Sequence, residues 1–205
     1  MRRWRLIAVC ASIVVSGCAT TARPRAAEPM IDPDFARFCT SNPCRGQTIV
    51  DLVTDDGTPL RVELPMAPPI VQPGFVTIYA GESIILEADV EGDRLVNLRA
   101  VPQLVHPDRS IQLRFHQDTT MRHGTDMVLL VQNGFSQRLK YRLGMLLPSD
   151  PEPPPGQPPP IRRTTSCPVL PGQAAYEHWP HAIFLLVATE FHLVDGDDPT
   201  AAICE

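Results

Sequence analysis

The chain has 205 residues, 23 of them proline, a content that disfavours long helices because proline removes a main-chain donor, and so the fold class leans to β. Three of its 18 basic residues lie in the first five positions, and beyond them 15 face 23 acidic residues, with Lys140 the single lysine. That acidic balance argues against nucleic acid as a partner, since phosphate neutralisation dominates such affinity, and the length fits one domain with tails.

In chain order, Arg2, Arg3 and Arg5 precede a largely apolar, uncharged run from Leu6 to Val15. The run is too short to cross ~30 Å of hydrocarbon as a helix, which needs about 20 residues; it has the length of a secretory h-region. It leads into Val15-Ser16-Gly17-Cys18. An aliphatic residue, two small residues and a cysteine at this place resemble the lipobox of bacterial lipoproteins. The resemblance implies a signal peptide over 1–17, diacylglyceryl transfer to the Cys18 thiol, cleavage before Cys18 and acylation of the freed amino group. Buried methylenes contribute ~0.8 kcal/mol each, and stable anchoring takes more than one chain, which such a cysteine supplies. In Gram-negative lipoproteins an Asp after that cysteine retains the protein at the inner membrane. Ala19 and Thr20 stand here instead, which implies the periplasmic face of the outer membrane. An ordinary secreted protein with an incidental Cys18 is the competing reading.

Residues 18–44 read as a tether and a small cysteine loop. Ala19 to Asp34 is small, polar and proline-containing. With Cys10 lost in the signal and Cys18 taken by lipid, Cys39, Cys44, Cys167 and Cys204 remain, an even number in an oxidising compartment. Three pairings are open. Cys39–Cys44 and Cys167–Cys204 are favoured, because each pair falls within one segment outside the expected core. A metal site is the alternative, but it lacks Cys-x-x-Cys spacing and a histidine close in sequence to any of the four.

Residues 45–148 read as an antiparallel β-sandwich. Val50 to Val53 and Leu60 to Leu64 flank Asp55-Asp56-Gly57, a hairpin signal, and the second segment alternates cleanly. Pro65 to Pro73 interrupts, since proline cannot donate to a ladder. Phe75 to Tyr79 follows; Ile84 to Val90 and Leu95 to Val101 flank a second turn at Glu91-Gly92-Asp93. Ile111 to Phe115 alternates, with Leu113 and, earlier, Leu86 expected to face the core. Met127 to Val131 and Leu139 to Leu147 surround a third turn signal, Asn133-Gly134. Short strands with turns every 8–12 residues or so are the sandwich pattern. Gly81-Glu82-Ser83-Ile84-Ile85-Leu86 resembles the second-strand entry of immunoglobulin-like modules, and Leu139-Lys140-Tyr141 after Asn133 resembles a late strand of bacterial ones. This stretch holds no cysteine pair and no tryptophan, so an antibody-type core is not expected. A closed barrel is the competing fold.

Residues 149–166 read as a proline-rich linker; from Pro148 to Pro160 there are eight prolines in thirteen residues. Polyproline II would extend this stretch to about 40 Å as a stiff spacer. Residues 167–205 read as a tail stapled by Cys167–Cys204, with a strand or two in Ala182 to Val194, either docked on the sandwich or forming a small hairpin beside it.

For chemistry, Glu177-His178-Trp179-Pro180-His181 is the densest cluster. His178 and His181, with His192 as a third ligand, are weak candidates for a metal; Pro180 argues against a helix that would align them. Trp179 is a candidate anchor for a partner, since tryptophan dominates interface hot spots, and equally a candidate for internal packing. Asp195-Gly196-Asp197-Asp198 lacks the bidentate Glu of a calcium loop and reads as an acidic turn. His106, His116 and His123 read as structural. No nucleophile elbow and no phosphate loop is present, and no cofactor is implied. Two functions stay open: a non-catalytic envelope module that binds or scaffolds other envelope proteins, as in an accessory subunit of a secretion or assembly system, or a periplasmic metal-dependent or hydrolytic enzyme using His178, His181 and His192.

Overall fold

Turn chemistry and proline placement set where strands begin and end in the computed structural model, which describes residues 32–120, 124–151, 153–154 and 157–205. The lipobox, the signal segment, most of the expected tether and His123 lie outside the described residues. Helix α1 (Pro33–Ser41) comes first. Asp32 caps it, its Oδ1 accepting from the amides of Asp34 at 2.7 Å and Phe35 at 3.4 Å, and Pro33 occupies the first turn, where its missing N–H costs nothing. The reading of 18–44 as tether and loop is thereby corrected: a helix fills its second half. A disulfide between Cys39 and Cys44 ties the end of α1 to the turn at Asn42-Pro43.

The body of the chain is antiparallel β structure throughout. β1 (Thr48–Val53) and β2 (Pro59–Leu64) form their own two-stranded sheet, joined through Gly57 at φ 83°, and bury Val50 and Leu52. The Gln117 side chain brackets the end of β1, accepting from the Val53 amide at 2.7 Å and donating to its carbonyl at 2.8 Å. The other strands are β3 (Val71–Gln72), β4 (Phe75–Tyr79), β5 (Ser83–Glu91), β6 (Arg94–Val101), β7 (Ser110–Asp118), β8 (Asp126–Asn133), β9 (Arg138–Leu146), β10 (Arg162–Thr164), β11 (Ala174–Trp179) and β12 (Leu185–Val194). One half of the sandwich runs β3-β4-β12-β9-β10 and the other β6-β5-β7-β8-β11, joined by a single bridge from His192 to Arg94. Val76 and Ile78 of β4, Tyr141 and Leu143 of β9 and Leu186 of β12 share one buried core with Leu86, Leu113, Phe115 and Leu129 of the other half. Leu86 and Leu113 thus face inward as their alternation requires.

Three long-range features differ from the sequence reading. Asn133-Gly134 does not close a hairpin: β8 pairs with β7 and β11, β9 with β10 and β12, so 134–137 crosses between the halves. Asn133 organises this arch, its Nδ2 donating to Gln137 O at 2.8 Å and its Oδ1 accepting from Phe135 N at 2.9 Å. Only glycine fits at 134, where a Cβ would lie 1.8 Å from Pro107 O. The proline-rich stretch is not a spacer, because β10 returns to pair beside β9, Arg162 opposite Met145. The described residues at its two ends are neighbours, pinned by an Arg162–Asp150 ion pair. The tail is stapled by Cys167–Cys204, but it is woven in rather than docked. β11 pairs with β8, and β12 lies between β9 and β4.

Candidate functional site

β12 cannot serve β4 and β6 at once without a break, and the break makes a site. Its first half pairs with β4, from Leu185–Tyr79 to Thr189–Phe75; its register then shifts, and His192 meets Arg94 at the start of β6. Glu190, inside the shift, has φ 54°. β6 carries a matching irregularity: its register against β5 shifts between Glu87 and Asp89, and Asn97, opposite the shift, has φ 52°. These are the only non-glycine residues at positive φ among the described residues. Left-handed backbone costs an L-residue roughly 1–2 kcal/mol, and β-bulges bend a strand and raise its twist.

The two bulges splay β6 from β12 and leave a groove of about 870 Å³. Val71, Phe75, Leu95, Leu98 and Phe191 give it apolar walls, while Asp93, Arg94, Asn97, Glu190 and His192 lie at its polar edge. Beyond Arg94, no strand among the described residues pairs with the outer edge of β6. The Glu190 carboxylate turns away to Arg142 Nη1 at 3.0 Å, and His192 Nδ1 donates to the Glu190 carbonyl at 2.8 Å, which holds the bulge closed on itself. Strained residues held by their surroundings concentrate at functional sites, and here both lie in one groove.

Of the three candidate histidines, His192 alone lines this groove. His178 lies on β11 in the other half, its Nε2 2.7 Å from Oδ1 of Asp126, a carboxylate only 2 % exposed. His181 sits in the crossing between β11 and β12, with a buried Nε2. The separation follows from topology, since β11 and β12 run to opposite halves of the sandwich. No group of three His, Cys, Asp or Glu side chains among the described residues is placed to hold a metal ion.

Trp179 is also not where an interface anchor would be. It is 7 % exposed, packs edge-on against Phe115 with ring centroids 6.4 Å apart, and donates from Nε1 to Thr164 Oγ1 at 2.7 Å. The packing alternative holds: the tail supplies the core tryptophan that 45–148 lacks. Asp195 to Asp198 is a turn, with the Asp198 carboxylate accepting from Thr200 N and Oγ1, both at 2.7 Å, and thereby held below the usual range.

The tail forms a second charged feature on the outer side of β9. Lys140, 4 % exposed, donates to Glu205 Oε1 and Thr200 O, and Arg142 Nε reaches Glu205 Oε2 at 3.2 Å. Lys140 first, then Arg142, lowers the Glu205 pKa below the ordinary carboxylate value. Burial instead raises the Glu177 carboxyl, which accepts from the Cys167 amide at 2.7 Å. Its neighbour Tyr141 is pushed far up by burial, then by Glu177.

Of the groove residues, only His192 stood out in the sequence as a site candidate. Asn97 carried a usable signal, because Asn tolerates left-handed backbone better than most residues; Glu190 carried none. The chain matches no family model, no curated protein and no solved structure.

Proposed function

We propose that the chain is a lipid-anchored envelope lipoprotein, tethered through Cys18 at the periplasmic face of the outer membrane, and that it acts as a non-catalytic binding module for other envelope components. The observation that carries the binding reading is the groove between β6 and β12, apolar in its walls and held open at the expense of backbone strain at Asn97 and Glu190. A fold optimised for stability alone has no use for two such residues facing one opening. The anchor supports the reading by holding the groove at a membrane surface, where partners of a secretion or assembly system also reside. His178, His181 and His192 lie apart, so the metal site drawn from those three has no shared centre among the described residues.

The test uses the full-length protein purified from its own membranes. Phe75→Asp and Leu98→Asp place a charge in the groove walls at half-buried positions. Co-purifying envelope components should be lost while melting temperature and abundance hold. A variant with His178, His181 and His192 all changed to Ala should still correct whatever envelope defect a deletion strain shows. If the charged variants keep every partner, or the folded histidine variant fails to complement, the reading is wrong.

A further inference from the structure

We infer that the groove takes one kind of occupant: an extended strand from a partner protein, laid along the outer edge of β6 with alternate apolar side chains pointing into the wedge. The inference rests on the reading of this groove as the binding site and names what fills it. β12 and β6 begin a shared ladder at His192 and Arg94, and β12 then leaves for β4. Beside Leu95–Val101 no described strand is hydrogen-bonded to β6, and the short β3–β4 hairpin faces it across the wedge. An occupant there continues an interface the chain has already started. It also covers Leu95, Leu98 and Phe75 from water.

The main chain decides between occupants. Closing an apolar ligand over an open strand edge buries backbone N–H and C=O groups, each costly when left unpaired. An acyl chain offers nothing to pair with them, and a helix has spent its own donors and acceptors internally. An extended strand satisfies the edge and fills the wedge together, with main-chain bonds for affinity and alternate side chains for selectivity. β11 and β10 are also edge strands, but neither borders this wedge; β3 does, with Val71 and Gln72 in its lining, but it is only two residues long, against the seven of Leu95–Val101.

The experiment encodes a benzophenone side chain in place of Leu98 in the full-length protein, irradiates cells, and sequences the adduct. A second variant carries the group in place of Tyr176, which is well exposed on β11, and a third in place of Gln72 on the groove rim serves if the first fails to reach the membrane. The captured segment is then synthesised as a free peptide, with a copy N-methylated at alternate amides. The inference expects a peptide adduct, slowed amide exchange across Leu95–Val101 on adding the free peptide, and binding weakened about tenfold or more by N-methylation. A lipid adduct, an adduct to a second copy of this chain, or equal binding of the N-methylated peptide overturns it. Protein adducts at Tyr176 with none in the groove overturn the strand and leave a binding module with its site elsewhere. Silence at every position overturns both.

Discussion

Glu177 and Glu205 pull stability in opposite directions with pH, and the sign follows from what surrounds each carboxyl. Burial raises the Glu177 pKa above its ordinary 4.5, so its stabilising contribution is full below that value and is lost as pH rises through the raised one. Lys140 and Arg142 lower the Glu205 pKa beneath 4.5, so its contribution is present above that value and is lost as pH falls through the lowered one. Glu177→Gln keeps an oxygen for the Cys167 amide and removes the charge, so its stability should fall less than wild type as pH rises from acid to neutral. Glu205→Gln should lose stability at neutral pH and converge on wild type in acid. Urea midpoints across that range check both; parallel curves for all three proteins would refute the assignment. At Asn97 the backbone is the issue. Asn97→Gly should leave the urea midpoint equal or higher, whereas Asn97→Val, β-branched at φ 52°, should cost about 1–2 kcal/mol.

At the scale of elements, what was legible in the sequence was local. Leu60-Arg61-Val62-Glu63-Leu64 alternates because β2 has one wet face, and Asp55-Asp56-Gly57 turns because Gly57 accepts positive φ; strand and hairpin follow from residues in contact along the chain. Helix α1 was equally local in its Asp32-Pro33 start, but the surrounding proline and cysteine content suggested a loop instead. Pairing across long separations was not legible. Nothing in Leu185 to Val194 states that β12 inserts between β9 and β4, because any extended apolar segment offers the same unpaired groups on both edges. The groove was hidden for the same reason, being a property of two strands that part. β11 shows what the insertion does energetically: it carries Trp179 onto Phe115. Trp179→Ala should therefore cost about 3–5 kcal/mol, measured by chemical denaturation, as for a buried aromatic in a core. A loss under about 0.5 kcal/mol would return Trp179 to the surface.

For the whole molecule, composition and fold divide the chain differently. Composition places a boundary at the proline-rich stretch 149–166, while one body runs from Ile31 to Glu205, with strands from beyond that stretch in both halves of the sandwich. A chain ending after Ser166 would lack β11 and β12 and leave β4 and β9 without the strand between them. It would also lose Trp179, Ile183, Leu186, Ala188 and Leu193 from the core. Such a truncation should not fold, giving collapsed amide dispersion by NMR and no cooperative melting, although a composition-based boundary would have it fold normally. Cys167–Cys204 closes this late-arriving segment over a separation of 37 residues. Loop-closure entropy assigns about 3–4 kcal/mol to a loop of that size. Paired replacement of both cysteines by serine should lower stability by that amount without abolishing the fold, since the strand ladders of β11 and β12 remain. The chain must thus be complete before its core closes. Under the lipoprotein reading proposed above, such a chain would stay unfolded until export ends, and anchoring at Cys18 would hold its N-terminus while the C-terminal strands insert. Cys18→Ser should abolish incorporation of labelled fatty acid and leave precursor uncleaved, yet a soluble form lacking residues 1–18 should fold and melt as the anchored protein does. Maturation of the Cys18→Ser chain to wild-type mass would refute the anchor, and failure of the soluble form to fold would show that the membrane, rather than the late strands, completes the structure.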